Sequence, residues 1–191
     1  MYVSRVSVDR SSIKQFRQGT HRTVSPDETV RRLETLLVDF GITRVADVTG
    51  MDRIGIPAAM VVRPNARSVS VSHGKGTTLI AAIAAALMEA IERHHAERVE
   101  CPLRLCSAAE LRAEHRILDP ARMPRVARTC SLTEPILWAE GRTLDGGVLW
   151  VPLGLVQLDL RRPAALDSGH FVAGTDGLGA GDTLEEAIVH G

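Results

Sequence analysis

The sequence predicts an α/β sandwich of mixed sheets and helices. Short runs of alternating polar and aliphatic residues, typical of strands, are interleaved with helical patterns along the chain. No low-complexity segment divides them. With 191 residues, of which 45% are hydrophobic, the chain can bury a core in one domain.

The first elements are an arm and a capped helix. Residues 1–22 have weak periodicity and predict a loose arm, which leaves 23–191 as the folded domain. Ser25 predicts an N-cap, Pro26 the first helical position and Glu28 a capping box. The helix is expected to run to Phe40, because Gly41 follows it.

The remaining elements follow from alternation and from turn residues. Strands are predicted at 44–48, 56–63, 67–71, 136–141, 148–152 and 155–160. Helices are predicted from Thr78 as N-cap to 96 and at 108–114, with a tight turn at 73–76, connecting structure at 117–128 and a loop at 161–168. Trp138 and Trp150, on predicted strands, are expected in the core.

The long helix carries a polar stripe and an apolar stripe on opposite sides. The polar stripe comprises Thr78, Ala82, Ala85, Glu89, Glu92, Arg93 and Ala96. The apolar stripe, expected to pack on the core, comprises Leu79, Ile80, Ile83, Leu87, Ala90 and Ile91. Small residues on the first turns of the polar stripe leave room for a ligand.

Two acids one turn apart repel each other unless a positive charge lies between them. For Glu89 and Glu92 that charge is supplied either by Arg93, which describes a solvated helix face, or by a hard cation such as Mg²⁺. The preceding loop favours a ligand, because Lys75 lies between two glycines at the positive end of the helix. It is not a Walker motif, since Gly76 stands where Ser or Thr is required.

A later segment repeats this loop and the start of its helix. The residues Gly74, Gly76, Thr78, Leu79 and Ala82 recur at the same spacing as Gly179, Gly181, Thr183, Leu184 and Ala187. The sequence therefore predicts a pseudo-duplicated pair of loop-helix units that share one nucleotide site. A second Glu-x-x-Glu-Arg is expected just beyond Gly191, so the chain reads as truncated within the second signature helix.

Both segments resemble the signatures of YcaO-domain proteins. The resemblance rests on 74–79 with 86–93, on 175–187, and on the run 41–57, which resembles the TfuA-associated, thioamide-forming branch. It extends from about Thr23 to the last residue. It implies ATP and Mg²⁺ as cofactors and ATP-dependent activation of peptide backbone amides, giving thioamides or azolines in ribosomal peptides or proteins.

The resemblance also implies roles for individual residues. Glu89, Glu92 and Glu186 are the expected magnesium ligands, and Lys75, Arg93 and Asp182 are expected to bind ATP or its phosphates. The chain departs from the family at Ala85, where many relatives have Ser, and at Asp176 and Asp182, where Asn is usual. The alternative reading is a catalytically inactive fragment that acts as a peptide-binding or partner-binding scaffold.

The expected partners are a peptide or protein substrate, a TfuA-like protein, and either a second copy in a homodimer or a complementing C-terminal half. A net charge of zero and 3% aromatic residues argue against nucleic-acid binding. Membrane association is not expected, since no apolar run is long enough to span a bilayer. Cys101, Cys106 and Cys130 lack paired metal spacing and favour reduced thiols in the cytoplasm.

A zinc reading of His94, His95, Glu97 and His115 is disfavoured, because adjacent histidines point in different directions on a helix.

Overall fold

The residues that the computed structural model describes form two three-stranded antiparallel sheets and five α-helices. The structure describes residues 13–126, 133–161 and 170–191. The described residues fall into two compact units. The first unit holds 13–97 with 176–191, and the second holds those between 98 and 175. The predicted mixed α/β class is confirmed, whereas the predicted domain boundary at residue 23 stays a prediction.

The sheet of the first unit has the strand order β1-β2-β3. Its strands are β1 (Arg44–Asp47), β2 (Ala58–Val62) and β3 (Val71–Lys75), and its helices are α1 (Pro26–Leu33), α2 (Leu79–Ala96) and α5 (Leu184–His190). Alternate β2 residues are buried, which turns Ala59 and Val61 onto the helical layer. There they join Ala82, Ala86, Leu87 and Ala90 of α2 in one core.

Helix α1 begins where the sequence predicts but ends earlier. The side chain of Ser25 accepts a hydrogen bond from the Glu28 amide, which confirms the N-cap. The Glu28 carboxylate instead accepts hydrogen bonds from Arg31 and Arg32, so this carboxylate is engaged one turn further along α1. The α-helix ends at Leu33, a 3₁₀ turn follows, and Gly41 leaves the segment with φ of 67°.

The position of β3 corrects the sequence prediction. The segment predicted as a tight turn is strand β3, and 67–70 lies in the connection before it. Ser72 and Gly74 are buried while His73 and Lys75 are exposed, which is the period-two pattern of a strand. Glycine at 74 suggested a turn, but it serves close packing: a Cβ there would lie 2.1 Å from the Ala82 carbonyl oxygen.

Thr78 caps α2, since its hydroxyl accepts a hydrogen bond from the Ala81 amide at 3.2 Å. We expect Thr78→Ala to lower the free energy of unfolding by about 1 kcal/mol, because the amide loses its acceptor. Thr78→Ser retains the acceptor and is expected to restore most of that loss in urea unfolding. Equal losses in both variants would show that the hydroxyl does not stabilise the helix.

The second unit is built on the sheet β4-β5-β6. Its elements are β4 (Leu103–Cys106), α3 (Ala108–Glu114), β5 (Ile136–Arg142), β6 (Val148–Pro152) and α4 (Leu153–Val156). Trp138 and Trp150 are buried, as predicted. The strand β4 was not predicted. The strand predicted at 155–160 is absent from this described segment, because the chain closes a helical turn with a Gln157 amide to Leu153 carbonyl hydrogen bond.

Cys101 and Cys106 are free thiols, and Cys130, the loop at 162–168 and residues 1–12 of the predicted arm lie outside the described residues. Within the described part of the chain, no helix has both the length and the apolar character needed to cross a membrane.

Candidate nucleotide site

The two loop-helix segments repeat in structure as they do in sequence. A Cβ on Gly74 would lie 2.1 Å from the Ala82 carbonyl oxygen, and a Cβ on Gly179 would lie 2.2 Å from that of Ala187. Thr183 caps α5 as Thr78 caps α2, by accepting a hydrogen bond from the amide three residues on. In each segment a glycine therefore lets the extended chain lie directly on the backbone of the helix that follows.

A cleft of about 180 Å³ opens beside the first of these segments. One wall is the small-residue face of α2, and another is the end of β3 with the residues that follow it. The remaining walls come from the arm before α1, from α1 itself and from the segment before α5. The residues lining it include Gly19, Arg22, Thr29, Lys75, Thr77, Ala81, Ala84, Ala85, Met88 and Asp182.

The face of α2 that lines the cleft shares only Ala85 with the predicted polar stripe. Ala82 is fully buried and Ala96 is 6% exposed, so both belong to the core side of the helix, whereas Leu79 is 38% exposed. The ligand face is therefore rotated to Ala81, Ala84, Ala85 and Met88. The sequence could not separate the two roles, because alanine serves equally well for close strand packing and for leaving room in a cleft.

The described part of the arm contributes to the cleft, which the sequence prediction of a loose segment missed. Phe16 and Arg22 exchange two backbone hydrogen bonds of 3.0 Å around a turn in which Gly19 has φ of 72°. A Cβ on Gly19 would lie 2.8 Å from the Thr77 hydroxyl, so the turn packs closely against the loop before α2. Only Gly19 itself hinted at this turn in the sequence.

Lys75 and Asp182, both predicted to contact ATP, meet at this cleft. Lys75 is the exposed last residue of β3. The Asp182 carboxylate accepts a hydrogen bond of 2.7 Å from the Thr29 hydroxyl, and it lies 3.7 Å from the Arg32 guanidinium. The structure thus places a cation and an anion at the cleft without pairing them to each other.

Glu186 is buried at the start of α5, with 2% of its surface exposed. Its carboxylate accepts hydrogen bonds from the Thr23 hydroxyl at 2.8 Å, the Asp182 amide at 3.1 Å and Arg22 at 3.3 Å. Burial acts to raise the pKa of Glu186, but these donors outweigh it and hold the pKa below its ordinary value. The carboxylate is therefore ionised at neutral pH, with Arg22 as its counter-charge.

Glu89, Glu92 and Arg93 lie further along α2. Arg93 forms an ion pair of 2.7 Å with Glu89, as the solvated-face reading predicts, but its Nε atom is buried and makes no hydrogen bond. Burial, reinforced by the charge of Glu89, raises the pKa of Glu92. The charges of Arg93 and His190 act on the same carboxylate in the opposite direction but do not outweigh burial and Glu89.

The structure does not gather the three predicted magnesium ligands into one preformed cluster. Among the residues that it describes, no group of three or more His, Cys, Asp and Glu side chains could hold a metal ion. His94 and Glu97, which were considered for zinc, both contact the Arg63 guanidinium. The acids instead occur as two pairs in sequence: Glu89 and Glu92 lie one turn apart on α2, and Asp182 and Glu186 lie at the start of α5, where the Asp182 amide donates to the Glu186 carboxylate.

These pairs fit magnesium bound together with a nucleotide. Mg²⁺ in such sites takes one or two carboxylates and completes its shell with phosphate oxygens and water, so it needs no all-protein cage. The ionised, buried Glu186 carboxylate is a donor of the required kind. The assignment of Glu89, Glu92 and Glu186 as ligands stays a prediction.

Comparison with known proteins agrees with this chemistry. The model of the YcaO cyclodehydratase family, described as binding ATP and Mg²⁺, matches residues 73–191. An uncharacterized protein of Mycobacterium tuberculosis is 37% identical over 96% of this chain and 42% of its own length. A Rhizobium leguminosarum bv. trifolii protein, named for its place in the tfuA 3′ region, is 38% identical over 89% of this chain and 40% of its own.

Solved structures share the fold. YcaO from Methanopyrus kandleri, bound with AMPPCP and Mg²⁺, is 28% identical with a TM-score of 0.69, over 93% of this chain and 44% of that one. A heterocyclase in complex with substrate and cofactor has a TM-score of 0.70 at 20% identity, over 93% of this chain and 27% of that one. This chain spans about two-fifths of the length of the curated relatives that it matches.

Proposed function

This chain belongs to the YcaO cyclodehydratase family, and from that premise we propose that it supplies part of the nucleotide site of an enzyme that uses ATP to activate peptide backbone amides. The observation that carries the proposal is the cleft at Lys75, whose walls include the small-residue face of α2 and the Asp182 segment. A cleft that carries Lys75 and Arg22 between two glycine-bearing loops suits a triphosphate.

The cations at the cleft are the groups that would hold phosphate. Lys75 ends β3 on the exposed side, where its ammonium group can reach a phosphate as a mobile point charge. Arg22 lines the same cleft. Thr78 accepts hydrogen bonds from the Ala81 and Ala82 amides, so the first turn of α2 would add the amides of Leu79 and Ile80. Together these donors place positive charge where the phosphates would lie.

The acids would hold magnesium from both sides of the nucleotide. Glu89 and Glu92 would act from α2 and Glu186 from α5, and Arg93 would balance Glu89 while a ligand is absent. The Methanopyrus YcaO structure, which is bound with AMPPCP and Mg²⁺ and is 28% identical, supports a nucleotide bound together with magnesium in this fold.

The chemistry that we propose is a phosphoryl transfer to an amide oxygen. After sulfide or a side-chain nucleophile has added to the amide carbon, the resulting oxyanion takes the γ-phosphoryl group of ATP and ADP leaves. Loss of phosphate and of a proton from the sulfur or the nitrogen then gives a thioamide or an azoline. The part of this chain is to orient the triphosphate through Lys75 and to neutralise charge through the surrounding side chains.

The substrate and the partner are proposed on the same basis. The similarity to a protein of the tfuA 3′ region supports a TfuA-like partner and a thioamide product, on a peptide or protein substrate. The free thiols Cys101 and Cys106 suit a reducing compartment, so we place the protein in the cytoplasm.

Calorimetry with ATP and Mg²⁺ tests the proposal directly. The wild-type chain is expected to bind ATP only when Mg²⁺ is present, and Glu89→Gln is expected to abolish this binding. Absence of binding by the wild-type chain would contradict a nucleotide site here and would support a scaffold role instead.

Lys75→Ala provides a second test at the phosphates. A charge-assisted contact contributes about 1.5–3 kcal/mol, so we expect ATP affinity to fall by a factor of about 10 to 100 in calorimetry. Arg53→Ala is the matched control, since Arg53 is an exposed cation of the same unit outside the cleft. Equal affinities for the two variants would exclude Lys75 as a phosphate ligand.

A further inference from the structure

Arg22 contacts both the cleft and Glu186, the buried acid of α5. Its guanidinium lies 3.3 Å from the Glu186 carboxylate and 2.8 Å from Nδ1 of His190, and the residue also lines the cleft. The Glu186 side chain has no exposed surface, while that of Arg22 is 32% exposed. Arg22 therefore stands with one side against the buried anion and the other side open to the cleft.

A buried carboxylate requires a counter-charge, and Arg22 is the cation that Glu186 has in this structure. The Thr23 hydroxyl and the Asp182 amide donate to Oε2 of this carboxylate, whereas Arg22 faces Oε1. Magnesium at Glu186 would therefore compete with the guanidinium for Oε1 and would repel it. We propose that Arg22 is an exchangeable latch: it neutralises Glu186 while the cleft is empty, and it transfers to a nucleotide phosphate when Mg²⁺ replaces it. This inference rests on the proposed function.

The local structure permits this exchange by side-chain rotation alone. The backbone amide and carbonyl of Arg22 are both bonded to Phe16, which fixes the main chain. Thr23 and the Asp182 amide hold Glu186 independently of Arg22, so the carboxylate keeps its place when the guanidinium leaves. Phosphate is a strong alternative partner, because guanidinium binds it through paired hydrogen bonds.

The latch makes two predictions of opposite sign for Arg22→Gln. The Mg²⁺ concentration that half-saturates binding of a fixed amount of AMPPCP is expected to fall about tenfold, because no cation has to be displaced from Glu186. At saturating Mg²⁺ the affinity for AMPPCP is expected to weaken about tenfold, because one charge-assisted phosphate contact is lost. Calorimetric titrations of Mg²⁺ and of AMPPCP measure the two quantities separately.

Arg31→Gln is the matched control, since it removes the same charge from an exposed residue that pairs with Glu28. It is expected to leave both quantities unchanged. An unchanged or increased Mg²⁺ requirement in Arg22→Gln would overturn the latch while leaving the nucleotide site intact. Failure of the wild-type chain to bind AMPPCP with Mg²⁺ would overturn the proposed function and the latch together.

Discussion

Replacing Gly74 by alanine is expected to destabilise the first unit by about 3 kcal/mol or more, at the upper end of overpacking effects. The new Cβ would lie 2.1 Å from the Ala82 carbonyl oxygen and 2.3 Å from the Ala86 amide nitrogen. Both obstacles are backbone atoms in the middle of α2, so no side-chain rotation relieves the overlap. The strand and the helix must separate, which opens the core between β2 and α2.

Urea unfolding of Gly74→Ala beside Gly50→Ala measures this effect. Gly50 has no heavy atom within 4 Å of its hypothetical Cβ and no positive φ, so its replacement is expected to change stability by less than about 0.5 kcal/mol. The two variants carry the same glycine-to-alanine change and therefore differ only in the atoms that surround the added methyl group. Comparable stabilities for the two variants would show that β3 does not need glycine for its approach to α2.

The sequence was most informative where local chemistry decides the structure. Ser25 and Thr78 start helices at the predicted residues, because a side-chain cap is a short-range interaction. The repeat of Gly74 at Gly179 was also visible, and the structure gives both glycines the same helix contact. Local patterns were therefore sufficient for the starts of α1 and α2 and for the duplicated segments.

Long-range packing decided the features that the sequence did not predict correctly. The turn predicted around Gly74 is a strand. Glycine is needed there because α2 packs directly against the strand backbone, and not because the chain turns. Arg22 was assigned to a loose arm, although its partner Glu186 lies at the other end of the chain. No spacing within either segment indicates that pairing, and only the tertiary structure brings the two residues together.

The buried pair of Arg63 and Glu97 gives the second large expected effect. Arg63 is 3% exposed and Glu97 is fully buried, with 2.7 Å between the guanidinium Nη2 and the carboxylate Oε2. The same guanidinium donates to the carbonyl oxygens of Phe40 and Ala90, and Ser68 donates its hydroxyl to Glu97. The pair therefore ties the end of α2 to the β2–β3 connection.

Glu97→Gln is expected to lower the free energy of unfolding by about 3–5 kcal/mol, because it leaves the Arg63 charge buried without a counter-ion. The glutamine keeps the shape of the side chain, so the loss reports charge and not a cavity. Arg31→Gln, at an exposed ion pair, is expected to cost less than about 1 kcal/mol. Replacing both Arg63 and Glu97 by leucine is expected to recover much of the loss, since neither charge then remains buried.

The pH dependence of this difference separates the ion pair from simple packing. Burial acts to raise the pKa of Glu97, but hydrogen bonds from Arg63 and Ser68 outweigh it, and the pKa falls below its ordinary value of 4.5. A lowered pKa in the folded state means that the carboxylate stabilises the fold fully above the unfolded pKa. That stabilisation is lost as the pH falls through the folded pKa.

The difference in free energy of unfolding between the wild-type chain and Glu97→Gln should therefore be constant near neutral pH and should decrease progressively below about pH 4.5. A gap that stays the same from pH 7 to pH 3 would assign the loss to packing and not to charge.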